Sequence, residues 1–196
     1  SLYFIIFGTL IGKRIGEMEG YPYMEYIAPG LVMMSVITNS YGNVVGSFFN
    51  AKIQGHIEEL LVSPLSEVSI VIGYLAGGII RGLSVAVVVT FIALFFTQIN
   101  IKYPIMTLFV IIMTAGVFSL AGLINAIFAK KFDDIAVIPS FVLAPLTYLG
   151  GVFYTVNLLP EFWQTVSKFN PILYMINSMR YSVIGISDVS IQNALM

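Results

Sequence analysis

Residues Val68–Phe96 read VSIVIGYLAGGIIRGLSVAVVVTFIALFF, a run of 29 residues with a single charge, Arg81. About 20 residues of helix cross a ~30 Å hydrocarbon layer, so this run spans with residues to spare. Three further stretches, Ile27–Phe49, Pro104–Phe128 and Ile135–Val156, meet the same length. A fifth, Leu2–Gly12, is too short to span. Because the chain starts at Ser1 inside an apolar run, Leu2–Gly12 is expected to be the end of a helix in a fragment of a longer protein. The polar breaks Lys13–Glu25, Asn50–Glu67, Thr97–Tyr103 and Ala129–Asp134 are short. They make neighbouring helices antiparallel and leave no room for a soluble domain. The expected fold class is all-α, one polytopic membrane domain over residues 1–196.

Composition agrees: 58% of residues are hydrophobic and 10% charged, against roughly 45–50% and about 25% in soluble domains. Nine Lys+Arg against ten Asp+Glu give a net charge of −1. That balance excludes nucleic acid as the main partner. With no cysteine and one histidine, His56, there is no disulfide framework, no thiolate nucleophile and no metal site. None of the patterns G-x-x-x-x-G-K-[ST], G-x-G-x-x-G, H-E-x-x-H or G-x-S-x-G occurs. The chain is therefore expected to be no enzyme and to hold no cofactor of its own.

Small residues recur four apart at Gly8/Gly12/Gly16, Gly42/Gly46, Gly73/Gly77 and Gly78/Gly82. That spacing lets helix backbones approach closely in lipid. Ser35, Asn39, Asn43 and Ser47 stand at i, i+4 intervals, so one face of the Ile27–Phe49 helix is polar from end to end. Such a stripe must be buried in protein or water, either as interhelical hydrogen bonds or as the lining of a substrate path. Arg81 is the one intramembrane charge, expected to face the bundle or to lie near an interface.

Between two spans, Ile57-Glu58-Glu59-Leu60-Leu61-Val62-Ser63-Pro64 forms a short amphipathic helix stopped by Pro64. It lies on lipid headgroups or enters a partner's groove, and its acids disfavour anionic lipid. Glu58/Glu59 and Asp133/Asp134 sit beside lysines in polar breaks and read as surface charges. Toward the end, Pro160–Asn170 places Leu159, Phe162, Val166 and Phe169 opposite Glu161, Gln164 and Lys168, and Pro171 opens a second short helix through about Tyr181. Neither is long enough to cross, so together they read as a re-entrant or interfacial hairpin. With alternating helices, Lys13, Arg14, Lys102, Lys168 and Arg180 share one side and Lys52, Lys130 and Lys131 the other. This small excess places the first set inside by the positive-inside rule.

In order, Tyr26-Ile-Ala-Pro-Gly30, Ile57–Pro64, Phe132-Asp-Asp134, Pro145-Leu-Thr-Tyr-Leu-Gly-Gly-Val-Phe-Tyr154, Leu159-Pro160 and Phe169-Asn-Pro171 resemble the ABC-2 type transporter permeases. The resemblance covers essentially the whole chain and is most specific from Ala121 to Gly185. It implies a six-helix permease working as a homodimer in the bacterial inner membrane. Two copies of a separate cytoplasmic ABC ATPase would bind ATP and Mg and drive export by alternating access. On that pattern the last helix lies beyond Met196. Ile57, Glu58, Glu59, Leu60, Leu61 and Pro64 belong to the coupling helix in a cytoplasmic loop, residues 50–67. Residues 157–185 hold extracytoplasmic re-entrant helices. The ordered motifs thus reverse the orientation given by the lysine and arginine count. The alternative from the residues alone, a self-contained channel or secondary transporter, requires an intramembrane ionisable pair or a helix broken at mid-bilayer.

Overall fold

A helix of 31 residues, α2 (Tyr23–Ile53), runs through the middle of the molecule and continues through Pro29. The computed structural model describes residues 3–188. Leu2, the first residue of the expected helix end Leu2–Gly12, and the last helix expected beyond Met196 lie outside the described residues. At 1.5 Å per residue α2 is about 46 Å long, more than a hydrocarbon core requires. It extends past the expected Ile27–Phe49 at both ends. Before it come a π-helical segment Phe4–Ile11, the single-turn α1 (Gly12–Ile15) and a two-residue antiparallel ladder, β1 (Glu17–Met18) with β2 (Tyr21–Pro22). This small hairpin occupies the expected polar break, and the other regular elements among the described residues are helices.

After α2 follow α3 (His56–Val62), α4 (Glu67–Ala93) and α5 (Pro104–Phe128). Next comes a rod made of α6 (Phe132–Ile138), a π turn at Pro139–Leu143 and α7 (Ala144–Leu149). Pro139 and Pro145 each remove a backbone donor from this rod, and the widened turn between them keeps it continuous. It ends at Leu149, short of the expected Val156, because Gly150 and Gly151 turn the chain inward. Gly151 has φ +76°, and a Cβ on Gly150 would stand 3.0 Å from Ile176. The chain closes with α8 (Glu161–Lys168) and α9 (Pro171–Ile184).

Three helices among the described residues are long and apolar enough to cross a membrane: α4, α5 and the Phe132–Leu149 rod. Four had been expected. The fourth, α2, has the length, but its serines, asparagines and tyrosines lower its hydropathy. The packing makes that polarity tolerable. α2 is the hub against which α4, α5 and α9 pack, and its buried side spans Tyr23 to Phe49. The apolar helices around it expose their large side chains on the outside. Only Gly78, Gly82, Ala86 and Ala93 of α4 are buried, all of them small.

Of the glycine pairs, Gly78/Gly82 makes the closest helix contact. A Cβ at Gly78 would collide with Ser119 and come within 2.6 Å of Val44, and one at Gly82 would collide with Ser40 and come within 3.0 Å of Ala115. Gly42, Gly46 and Gly73 face open space. The second short helix of the expected re-entrant or interfacial hairpin packs into the core. α9 buries Ile172, Leu173, Ile176, Met179 and Val183 against the bundle, opens on an Asn170 side chain that accepts from Ile172 N, and ends at Gly185 with φ +84°. α8 is the surface element, and its apolar Phe162 and Phe169 point outward while Ser167 is buried.

Gly78→Val is expected to destabilise the detergent-purified protein by about 1–3 kcal/mol through overpacking. Gly73→Ala is expected to leave thermal unfolding unchanged or slightly raised. Equal effects at the two positions would contradict the close α4 approach.

Candidate functional site

The polar stripe of α2 narrows, in the fold, to a groove. Ser35 Oγ donates to Leu31 O at 2.9 Å, Thr38 Oγ1 to Met34 O at 2.6 Å and Asn39 Nδ2 to Ser35 O at 2.9 Å. These bonds return to α2 itself and do not join helices, as one expectation had it. The cross-helix bonds come from residues the stripe did not include: Asn125 Nδ2 donates to Tyr41 OH at 2.7 Å and Thr107 Oγ1 to Ser182 Oγ at 3.0 Å. Asn39 and Asn43 are half-buried and Ser47 is exposed. Thr38, Asn39, Gly42 and Asn43 line a cavity of about 240 Å³ whose remaining wall is Arg81 of α4. Ser35 and Ser47 fall outside it.

Arg81 stands near the middle of α4, about 20 Å from either end. It is therefore on the stretch of α4 farthest from both helix ends. Its exposed side chain makes no hydrogen bond or ion pair with the described residues. An arginine at the bilayer centre facing hydrocarbon costs about 3 kcal/mol on the lowest scales, so this face must meet water or protein. Packing sets its position. Ser40 faces Gly82 and Val44 faces Gly78, a register that brings Arg81 beside Asn39 and Asn43. The sequence carried that signal in the Gly78/Gly82 pair, which did not by itself say which helix was opposite.

At one end of the bundle α2 leads into α3 through Gly55, at φ +79°. Ile57 and Leu60 are half-buried, Glu58 and Glu59 are exposed, and Leu61 and Val62 are 63% and 87% exposed. Pro64 follows the helix after Ser63, whose Oγ donates to Leu60 O at 2.6 Å. Nothing in the described chain covers this apolar surface. Just before it, Lys52 Nζ donates to Ile127 O at 2.6 Å and Ala129 O at 2.8 Å. The ammonium thus satisfies carbonyls at the C-terminus of α5, where a cation is also favoured by the helix dipole. Asp134 Oδ2 accepts from Lys130 N and Lys131 N at 2.8 and 2.9 Å. That acid holds the next helix start, whereas Glu58 and Glu59 remain surface charges.

At the opposite end of α2 lies a cluster the sequence reading missed. Arg180 is fully buried and pairs with Asp188 at 3.3 Å. Its Nη2 donates to Gly151 O at 2.7 Å, and its guanidinium lies 3.9 Å from the centre of the Tyr26 ring. Tyr26 OH donates to the Asp188 carboxylate at 3.0 Å, and Asp188 N donates to Asn177 Oδ1 at 2.8 Å. Counting Arg180 among the charges that orient the protein was therefore wrong, because a buried, paired guanidinium is not a loop charge. Its setting in an apolar helix, with Asn177 one turn before, was the available hint.

A family model described as ABC-2 type transporter matches residues 1–184. The chain is 57% identical over 189 residues to inner membrane transport permease YadH of Escherichia coli K12, covering 96% of this chain and 74% of that protein. It is 26% identical over 190 residues to nodulation protein J of Rhizobium leguminosarum bv. trifolii, covering 94% and 71%. To nodulation protein J of Sinorhizobium fredii NGR234 it is 25% identical over 181 residues, covering 92% and 68%.

Removing one partner of a buried ion pair costs about 3–5 kcal/mol, because the other charge is left uncompensated. Asp188→Asn and Arg180→Met are each expected to lose that much in detergent unfolding. The double variant Arg180→Met with Asp188→Leu should recover part of it. A double variant as unstable as the sum of the singles would contradict the pairing.

Proposed function

The chain belongs to the ABC-2 type transporter family and is a multi-pass permease of the inner membrane; on that premise we propose that it is the membrane subunit of an ABC exporter. It works as a homodimer by alternating access. ATP and Mg²⁺ are bound and used in a separate cytoplasmic ATPase, and this chain contributes no catalytic group. The observation that carries the reading is α3, a helix with its apolar Leu61 and Val62 uncovered where α2 and α5 are fastened together by Lys52. In this reading Ile57, Glu58, Glu59, Leu60, Leu61 and Pro64 form the contact that receives work from the ATPase. Leu61 supplies an apolar anchor, and the two acids meet basic groups on the partner. Residues 50–67 are then cytoplasmic and residues 157–185 extracytoplasmic. The Asn39/Asn43 groove lines the substrate path near the dimer axis.

A partner can shift a conformational equilibrium only by holding the two states differently, so the grip on α3 must change with nucleotide. Leu61→Asp forces a charge into an apolar pocket and is expected to weaken co-purification with the ATPase by about tenfold or more. Glu58→Ala with Glu59→Ala should leave the complex assembled but lower the stimulated part of ATP turnover in liposomes. Wild-type assembly and turnover in both variants would return α3 to a helix lying on lipid headgroups.

Because the sequence has no cysteine, sidedness is open to single-cysteine labelling. An impermeant thiol reagent applied to intact cells is expected to mark Tyr21→Cys and to spare His56→Cys. The reverse pattern would overturn the orientation.

A further inference from the structure

The charge at the centre of the groove has no counter-charge at its own depth. Of the ten acids in the sequence, Glu25, Glu67, Asp133 and Asp134 stand in the first turns of their helices. Asp188 is held by Arg180. The other five lie in the N-terminal hairpin, α3 and α8. A second copy of the chain brings the same acids at the same depths, so a symmetric dimer does not neutralise Arg81 either. A cytoplasmic partner does not reach mid-membrane. The groove nevertheless presents unspent hydrogen-bonding capacity around the guanidinium. Asn43 makes no hydrogen bond with the described residues, and Asn39 uses its Nδ2 on its own helix, leaving Oδ1 free.

We infer that Arg81, with Asn39 and Asn43, binds an anionic group of the transported molecule, so that the permease is selective for substrates carrying a phosphoryl or carboxylate group at mid-membrane. This rests on the reading of the groove as a substrate path. A guanidinium offers five N–H donors in a planar fork that matches such oxyanions, and at low dielectric the charge-assisted bonds gain strength over those to a neutral hydroxyl. The carboxamides supply donors and acceptors for polar groups next to the anion. The cavity of about 240 Å³ holds one such head, with the remainder of the molecule outside it.

The test uses Asn43→Cys in the otherwise cysteine-free permease, reconstituted with its ATPase in phosphatidylcholine vesicles, with Thr38→Cys at the exposed lip as a second reporter. The rate at which a small neutral maleimide labels the permease chain is measured with dodecyl phosphate, dodecyl glucoside or inorganic phosphate present. Dodecyl phosphate is expected to slow labelling by about tenfold, and dodecyl glucoside, of the same chain length, by far less. Arg81→Gln should abolish the difference and Arg81→Lys should keep part of it. Protection by inorganic phosphate as well marks a site for the anion alone, whereas protection by dodecyl phosphate only marks a site for an anionic amphiphile. Equal protection by phosphate and glucoside, protection by neither, or protection that survives Arg81→Gln would overturn the anion selectivity while leaving an open path. If neither cysteine reacts at all, the path reading falls too, and the selectivity with it.

Discussion

Hydrocarbon offers a polar side chain no hydrogen bond, and that constraint shapes this protein because its longest helix is also its most polar membrane segment. α2 carries serines, asparagines and tyrosines on several sides of a 31-residue rod, and in lipid each unsatisfied group is costly. The neighbours are built to cover it. α4 approaches on glycine and alanine, so that Ser40 packs against Gly82 and is shielded from lipid, although its Oγ finds no hydrogen-bond partner among the described residues. α5 brings Asn125 to Tyr41 OH and Gly122 to within 2.6 Å, by its would-be Cβ, of the Tyr41 carbonyl oxygen. α9, too short to cross, is spent on covering the end of α2 that the spanning helices leave open. Without a helical partner the polar face of α2 would have no place in a bilayer.

The same rod is fastened at both ends by a cation. Near its start, Arg180 and Asp188 close on Tyr26 and tie α2 to α9 and to the Gly150/Gly151 turn. Near its end, Lys52 caps α5. Between these anchors the helix is continuous and the groove lies about midway, so under the proposed coupling role of α3 a displacement there would travel along a stiff element. The two anchors differ in kind. The first is a buried pair with every member hydrogen-bonded, which resists rearrangement. The second is a single exposed ammonium shared among the carbonyls of Ala126, Ile127 and Ala129, with no counter-charge among the described residues.

Membrane class, the existence of the long helices and the short α3 were legible in the sequence because they depend on hydrophobic length and local periodicity, and Val68–Phe96 and Pro104–Phe128 show both. Boundaries were less so. The rod expected to reach Val156 stops at Leu149, since a positive-φ glycine and a close contact with Ile176 decide the turn, and neither is a local signal. The stripe from Ser35 to Ser47 was visible as spacing, but its association with Arg81 depends on helix register, which side-chain packing sets. Arg180 was misread for the same reason: its partners come from residues 26, 151 and 188, and only the fold brings them together. The apolar face of α8 was plain in the sequence, and its Phe162 points outward, as the interfacial alternative for the Pro160–Asn170 helix allows.

The central claim is that α2 is enclosed on the sides that pack and wet on the side that faces Asn39 and Asn43. Its most direct test is a cysteine scan from Met33 to Gly46 in the reconstituted permease–ATPase complex, read as reactivity toward a water-soluble thiol reagent. The account predicts reactivity that recurs every three to four residues, high at Thr38, Asn39, Gly42 and Asn43 and absent at Val36, Ile37, Ser40 and Tyr41. A uniformly dry helix, or labelling at Ser40 and Tyr41 with protection at Asn39 and Asn43, would contradict it.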